Sequence, residues 1–598
     1  MLEWNLCSIF AHIIKNSNNV ASMNKVKQLP YGVSDFEYVM RENYYYVDKT
    51  MYIPQIEAQP NNLMFIRPRR FGKSLLLSML KTYYDKAKKD QFEEIFGSLW
   101  IGKHPTELMG RYQVMHLDFS RIGGSIDELE KKFDEYLCYT LDAFVRKYAD
   151  DYPDYFIKSF FDCNTYTGKL IQITTVANEL RIPMYLIIDE YDNFTNVVLS
   201  EKGEEMYHKL THAEGFYRDV FKKFKGTFER IFFTGVSPVT LDDLTSGFNI
   251  GWNISTLFYF DKMLGFSTEE VREMFTYYKN MGTLPADCDI EAMIEEMRPW
   301  YDNYCFAEEC LTDNNRVFNS DMVLFYLRNY MMYKSSPKIM LDPNTKTDYN
   351  KLKNLIRLDQ LDGDRKGILR KIAEDGEIVS EVLPSFPAYQ LVKPDMFISL
   401  LFYYGMLTIK GTYGQQLILA IPNNNVRMQY YNYLIENYSP VCDINTKELV
   451  TLFSHMAFDG NWHDALQYMC DCYKQLSSVR DSIEGERNIQ GFFMAYLSLC
   501  NYYITAPELE LKHGYCDFFL LPNMTHYQSK HCYILELKYL SKSDYTEKKA
   551  QEQWDEAVEQ INGYDAVAPR VEALRQGTQL HKIIIQFCGW DMMKMEEV

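Results

Sequence analysis

The sequence predicts an α/β multidomain chain. It reads as a parallel sheet with helices on both faces, a mostly helical middle region, and a second α/β unit at the C-terminal end. Three observations predict this. An apolar strand pattern at residues 63–66 runs through a turn into Gly72-Lys73-Ser74 and then an apolar helical run. A second apolar run at 184–188 ends in Asp189-Glu190. Near the C-terminal end, one strand pattern carries Asp517 and the next carries Glu536-x-Lys538.

Bulk properties bound the reading. At roughly 100–200 residues per domain, 598 residues imply about three or four domains. An apolar content of 47% supplies real cores, and 47 Tyr with 37 Phe argue against a disordered chain. A net charge of −19 argues against a broadly basic nucleic-acid-binding body and leaves room for a local basic groove. The 13 cysteines form no Cys-x-x-Cys pair, which fits reduced thiols in a cytoplasmic protein. No apolar run reaches the ~18–20 residues of a membrane span. Residues 2–14 are mildly apolar but lack a basic flank and a small-residue cleavage site, so they do not read as a signal peptide. Met23 is an alternative start.

In chain order, Asp48-Lys49-Thr50 precedes a short helical pattern at 51–57. It reads either as a helix cap with a surface pair or as a base or phosphate contact. The strand, loop, Gly-Lys-Ser and helix that follow make the phosphate cradle of a P-loop. Loop N–H groups and a helix N-terminus face an anion. Lys73 would neutralise the β/γ-phosphates of ATP and Ser74 would offer its hydroxyl to Mg²⁺, with Gly72 at the turn. Arg67 stands where the general motif has its first glycine, and Pro68 helps to fix the loop. Arg69 and Arg70 are placed to steady phosphates or to lie solvated. The helix is expected to run to about residue 90. A strand at 114–119 and helices at 126–149 and 165–181 follow.

The run ending in Asp189-Glu190 reads as a Walker B strand. Asp189 would hold Mg²⁺ and Glu190 would orient the attacking water. Asp192 reads as a loop or cap residue rather than a ligand. A third apolar strand at 231–233 ends at Thr234, placed to sense the γ-phosphate or to cap the next turn. Strands alternating with helices imply a parallel sheet with ligands at the strands' carboxyl ends, where all three motifs fall.

Helical patterns dominate 266–335, and 336–375 reads as loop-rich. Residues 395–430 read as a helix plus hairpin, a winged-helix candidate. From Glu486 onward the order is helix, three strands, helix, strand, with a turn at His513-Gly514 and the first helix running to about 503. Side chains two apart on a strand share a face, so Glu536 and Lys538 point together, with Asp517 on the neighbouring strand. Two carboxylates suit Mg²⁺, a hard oxygen-liganded cation that activates water and stabilises a scissile phosphate. Lys538 would lower the pKa of the attacking water or steady the transition state. Glu486 is expected to add a carboxylate and Gln560 to support the site. The lysines at 530, 538, 542, 548 and 549 line a groove or form a solvated face.

Together these motifs resemble AAA-ATPase-like proteins with a C-terminal nuclease of the PD-(D/E)XK superfamily. The resemblance covers about residues 28–590. It rests on Leu29-Pro30-Tyr31-Gly32, on Arg67-Pro68-Arg69-Arg70-Phe71-Gly72-Lys73-Ser74, on Ile188-Asp189-Glu190-Tyr191-Asp192, on Thr234-Gly235-Val236-Ser237, and on Gly514, Asp517, Glu536 and Lys538. Arg67 departs from general P-loops but not from this family. The resemblance implies Mg²⁺–ATP binding and a nuclease fold. The expected organisation is an extension at 1–27, the ATPase body at 28–262, a helical lid and winged-helix region at 263–430, and the nuclease-like unit at 431–598. The expected activity is ATP-regulated, Mg²⁺-dependent cleavage of DNA in defence or repair, with a homo-oligomer as an open partner. The alternative is an ATP-dependent signalling or scaffolding switch whose nuclease fold binds without cleaving.

Overall fold

The computed structural model describes residues 26–122, 126–193, 216–240, 251–311, 316–342, 365–387, 393–438, 444–478, 485–511, 514–524, 526–564 and 569–598. The first sheet contains β1 (Asn62–Ile66), β2 (Gln113–Asp118), β3 (Met184–Asp189), β4 (Arg230–Gly235) and the short β6 (Trp252–Asn253), in the order β2-β3-β4-β1-β6. Every pairing in it is parallel. A parallel sheet is covered on both faces, so its strands are continuous apolar runs rather than alternating ones; β3 is buried at all six positions. Register places Asp118 opposite Asp189 and Phe65 opposite Thr234, so the strand ends named from sequence share one edge. The helices α1 (Lys73–Tyr84), α2 (Ile126–Lys147), α3 (Tyr166–Leu180) and α4 (Phe216–Thr227) accompany this sheet.

Helix α1 stops earlier than the sequence suggests. Asp85 leaves the helical conformation and accepts the Ala87 N–H at 2.9 Å, starting a 3₁₀ turn at Lys86–Gln91. Lys147 and Tyr148 at the end of α2 also bond the Asp85 carboxylate. The chain is pinned there by tertiary partners that a local pattern does not display.

Three helices follow: α5 (Thr268–Asn280), α6 (Ile290–Tyr301) and α7 (Ser320–Tyr333). They share a core with Leu29, Tyr31, Tyr45 and Val47 of the N-terminal segment. The 336–375 stretch is not wholly loop, because α8 (Arg365–Asp375) closes it; residues 343–364 are outside the described set. The next unit combines α8, β7 (Glu377–Ser380), α9 (Pro394–Tyr403), β9 (Thr408–Tyr413) and β10 (Gln416–Ala420). Its sheet order is β7-β10-β9, the helix-plus-hairpin expected with one added strand. Two short strands, β5 (Val239–Thr240) and β8 (Phe386–Pro387), pair in parallel as a separate two-stranded sheet and join it to the segment that follows β4. Gly405 makes a close approach possible: its φ is +76°, and a Cβ there would sit 2.7 Å from Pro68 Cγ.

Helices α10 (Asn424–Tyr438), α11 (Thr446–Asp459), α12 (His463–Gln475) and α13 (Glu486–Leu497) lead into the last sheet. That sheet runs β11 (Tyr503–Leu511), β12 (Gly514–Pro522), β13 (His531–Leu540), β14 (Gln579–Cys588) and β15 (Asp591–Glu597), in that order. Only β13 and β14 pair in parallel, and α14 (Glu547–Gly563) lies in the crossover between them. Helix α13 ends before residue 503, which opens β11 instead. His513 falls outside the described residues. The edge strand β15 was not expected from sequence. Among the described residues no helix is long and apolar enough to cross a membrane.

Candidate functional sites

The first site forms at the carboxyl edge of the parallel sheet. The loop after β1 turns into α1 at Gly72, whose φ of +96° suits a residue without Cβ. Lys73 is buried, and its Nζ donates to the carbonyls of Arg67 and Pro68 at 3.0 Å each. Burial lowers its pKa, while Glu190 and Asp189 act in the opposite direction. Ser74 Oγ donates to Asp189 Oδ2 at 2.6 Å. Burial raises the Asp189 pKa against that hydrogen bond. Glu190 donates its N–H to Asp189 Oδ1 at 2.9 Å and holds a φ of +52°, a conformation that costs a non-glycine residue free energy.

These groups line a cavity of about 600 Å³, together with Arg69, Arg70 and Asp118. Its walls also include the apolar and aromatic residues Val33, Tyr45, Tyr46, Leu264, Phe266 and Met274. Asp118 was missed as a site residue. The signal was present, because it ends a buried strand just as Asp189 does.

Other motif residues do different work. Arg67 is 1% exposed and sits between the Phe65 and Phe306 rings, 4.5 and 4.1 Å from their centroids. Its guanidinium donates to the carbonyls of Ile66 (3.0 Å), Ser255 (2.6 Å) and Phe260 (2.8 Å). Burial lowers its pKa to about 10. Arg70 pairs with Asp321 at 2.7 Å and Asp342 at 3.4 Å. Thr234 Oγ1 donates to the Phe65 carbonyl at 2.6 Å and is not in the cavity lining, so the geometry is that of a strand-end hydroxyl rather than a sensor. Asp48 accepts from Thr50 and from the Trp100 N–H, the cap reading, whereas Lys49 is buried against Glu270 at 2.6 Å instead of lying in a surface pair. Asp192 accepts the Val236 N–H at 3.1 Å and acts as a loop cap.

The second site lies where β12 and β13 part. Asp517 Oδ2 accepts the Leu537 N–H at 2.6 Å, and its Oδ1 accepts from Gln490 Nε2 at 2.8 Å. Lys538 Nζ donates to Glu536 Oε1 (2.8 Å) and Gln560 Oε1 (3.0 Å). Gln560 Nε2 donates to the Tyr564 hydroxyl (2.6 Å), which donates to Glu536 Oε2 at 3.3 Å. The result is a closed ring of four side chains from β13, α14 and the residue that caps α14. Burial pushes the Asp517 pKa up to about 7, and the neighbouring Glu536 charge adds to the rise. Burial also raises Glu536, opposed by Lys538.

The structure thus brings Asp517, Glu536 and Lys538 together. It does not gather Glu486 with them. Glu486 is exposed on the first turn of α13 and acts on Asp517 only through its charge, while Gln490, one turn further on, makes the contact. Among the described residues no group of three or more His, Cys, Asp or Glu is placed to hold a metal. A pair of carboxylates still suits Mg²⁺, which keeps several waters and uses one or two carboxylates plus substrate phosphate. Ser74 and Asp189 offer hard oxygens in the same way at the first site. Gln490 and Tyr564 were missed because amide and phenol side chains carry no motif signal of their own here. Lys542, Lys548 and Lys549 each face an acid on the surface, which favours the solvated-face reading.

Two family models match the regions of the chain that hold these sites. Residues 30–245 match the family described as Predicted AAA-ATPase, and residues 484–597 match the PD-(D/E)XK nuclease superfamily. The uncharacterized protein in the vnfD 5′ region of Azotobacter chroococcum mcd 1 is 26% identical over 330 residues, which cover 53% of this chain. The match spans 56% of that relative's length, just over half. The Walker-type ATPase paby2304 of Pyrococcus abyssi aligns with 68% of this chain and 98% of its own, at 13% identity and a TM-score of 0.38. The Aeropyrum pernix ORC2 protein aligns with 70% of this chain and 98% of its own, at 13% identity and a TM-score of 0.28. Likeness at that level says nothing of activity. From the two family matches, the chain joins a AAA-ATPase-like domain to a C-terminal domain of the PD-(D/E)XK nuclease superfamily.

Proposed function

We propose that this chain binds and hydrolyses Mg²⁺–ATP and uses it to govern a Mg²⁺-dependent nuclease that acts on DNA, in defence against foreign DNA or in repair. One observation carries the reading: Asp517, Glu536 and Lys538 share one mostly buried site, with both carboxyl pKa values raised. Mutual repulsion and burial make that site favourable for a cation. Asp517 and Glu536 would hold Mg²⁺, which when bound polarises a phosphate and lowers the pKa of water. Lys538, oriented by Gln560, supplies positive charge where the phosphate becomes more negative.

At the first site Lys73 would leave the loop carbonyls for the β/γ-phosphates. Ser74 and Asp189 would hold Mg²⁺, Glu190 would orient water, and Arg69 and Arg70 would face the phosphates. The aromatic residues of the cavity wall suit the base. The described cysteines are all free thiols, which supports a reducing, cytoplasmic setting.

The second reading is an ATP-dependent switch that binds nucleic acid or protein without cutting. The net charge of −19 favours it over a body built to hold DNA. Cleavage of plasmid, linear and single-stranded DNA with Mg²⁺ or Mn²⁺, with and without ATP, separates the two. Cleavage that disappears in Asp517→Ala and Lys538→Ala supports the nuclease. Intact protein that turns over ATP through Lys73 yet cuts no substrate supports the switch.

A further inference from the structure

We propose that a second cavity, on the far side of the P-loop, is a ligand site for a planar nucleobase. The cavity holds about 100 Å³, and its walls include Trp300, Tyr304, Tyr404, Met406 and Asn425. Asn425 lies in the first turn of α10 and is 7% exposed. Neither its Oδ1 nor its Nδ2 has a hydrogen-bond partner in the protein. Buried amides are almost always satisfied, so an orphaned donor and acceptor on one side chain call for an external partner.

Asn423 shows what a structural asparagine does at the same place. Its Nδ2 donates to the Asp302 carbonyl at 3.1 Å and its Oδ1 accepts the Val426 N–H at 3.2 Å. Asn425 makes no such cap. The tyrosines in the wall are also engaged at their polar ends. The Tyr304 hydroxyl meets the Asn423 side chain and the Tyr404 hydroxyl meets Ser237. They therefore offer rings to the cavity rather than hydroxyls.

At ~30 Å³ each, about three waters would fill the space, and each needs two to four polar partners. The aromatic and thioether side chains supply few, which leaves Arg69, Arg70, Asn319, Asn423 and Gln429 as the other polar groups of the wall. A flat ring with an adjacent donor and acceptor satisfies both features: it lies against the rings, and its edge pairs with the carboxamide, as Asn pairs with adenine. The volume admits the edge of one base rather than a whole nucleotide. Arg69 lines this cavity as well as the larger one, so it places positive charge within reach of a phosphate on the same ligand. Because the P-loop forms a shared wall, occupancy here and ATP affinity would be linked reciprocally.

The test uses the full chain in a Lys73→Ala background, which silences the P-loop, without divalent metal. AMP and a single-stranded adenine tetranucleotide are titrated by calorimetry. At least one should bind at a single site. Asn425→Leu and the near-isosteric Asn425→Asp should each weaken that binding at least tenfold, with an unfolding midpoint equal to or above that of the parent for the leucine variant. AMP alone binding identifies a free nucleotide as the source, and the tetranucleotide alone identifies an unstacked base of a strand. If neither probe binds the Lys73→Ala protein, or if both Asn425 variants bind as the parent does, the cavity holds only water. The result is independent of whether the chain hydrolyses ATP or cuts DNA.

Discussion

Arg67 occupies the position of a glycine, and its contacts explain why a bulky cation can stand there. The side chain turns away from the phosphate cradle and bolts β1 to the 255–261 segment through hydrogen bonds to the Ser255 and Phe260 carbonyls, with a further one to Ile66 at the end of β1. Those acceptors are buried and would lose their donor in Arg67→Met. We expect that variant to lose about 3–5 kcal/mol of unfolding free energy, the cost of breaking a buried charge network, measured by denaturant titration. Wild-type stability would show that the guanidinium is dispensable. The nuclease carboxylates behave in the opposite sense. From the ordinary carboxylate range up to about pH 7, the folded chain keeps a proton on Asp517 that the unfolded chain has lost. Stability from this group is therefore present at low pH and falls as the pH rises through that window. Asp517→Asn should raise the unfolding free energy at pH 8 by roughly 2–4 kcal/mol in metal-free buffer while abolishing cleavage. The gain should shrink at pH 5, and equal midpoints at both pH values would refute the buried-charge account.

At the scale of elements, what the sequence displays depends on where each element's partners lie. The strands β1, β3 and β4 were readable because a parallel sheet demands continuous apolar runs, and their carboxyl ends carry the chemistry. Asp517, Glu536 and Lys538 were readable because period-two alternation fixes which side chains share a face. The end of α1 was not, since distant partners on α2 hold Asp85. Strand β15 was not, because its Met-Met-Lys-Met-Glu-Glu composition on a sheet edge has weak strand preference, and pairing to β14 supplies the order. Thr234 shows the limit for site residues: its position at a strand end was right, but the direction of its hydroxyl depends on the neighbouring strand. The contact between the helix-plus-hairpin unit and the P-loop gives an element-scale prediction. Gly405→Ala must put a methyl group 2.7 Å from Pro68 Cγ at a positive φ. It should cost about 1–3 kcal/mol of stability and weaken ATP binding several-fold, read by nucleotide titration. Unchanged affinity and stability would mean that the loop yields freely.

Across the whole molecule, the segment after α7 touches both sites' supports. Asp342 accepts from Arg70 of the P-loop at 3.4 Å and from the Tyr31 hydroxyl at 2.5 Å. Tyr301 donates to the Met340 carbonyl at 2.8 Å. Ser336 donates to Glu296 at 2.8 Å and lies 3.4 Å from His526 Nε2, in the loop between β12 and β13. Those two strands carry Asp517, Glu536 and Lys538. Phosphates that draw Arg70 away from Asp342 would therefore loosen one end of a strap whose other end rests on the nuclease sheet. A ligand shifts such an equilibrium only through differential contacts, and Arg70 provides one. Spatial continuity alone does not establish coupling, so a double-mutant cycle is the appropriate measurement. The ratio of cleavage rates with and without ATP should fall to within about twofold of unity in Asp342→Asn and in His526→Ala. The double variant should fall no further, because both changes interrupt one connection. ATP turnover and ATP-free cleavage should persist in each single variant. Additive losses from the two changes would place the coupling elsewhere, with Gln490 on α13, the residue bonded to Asp517, as the next position to vary.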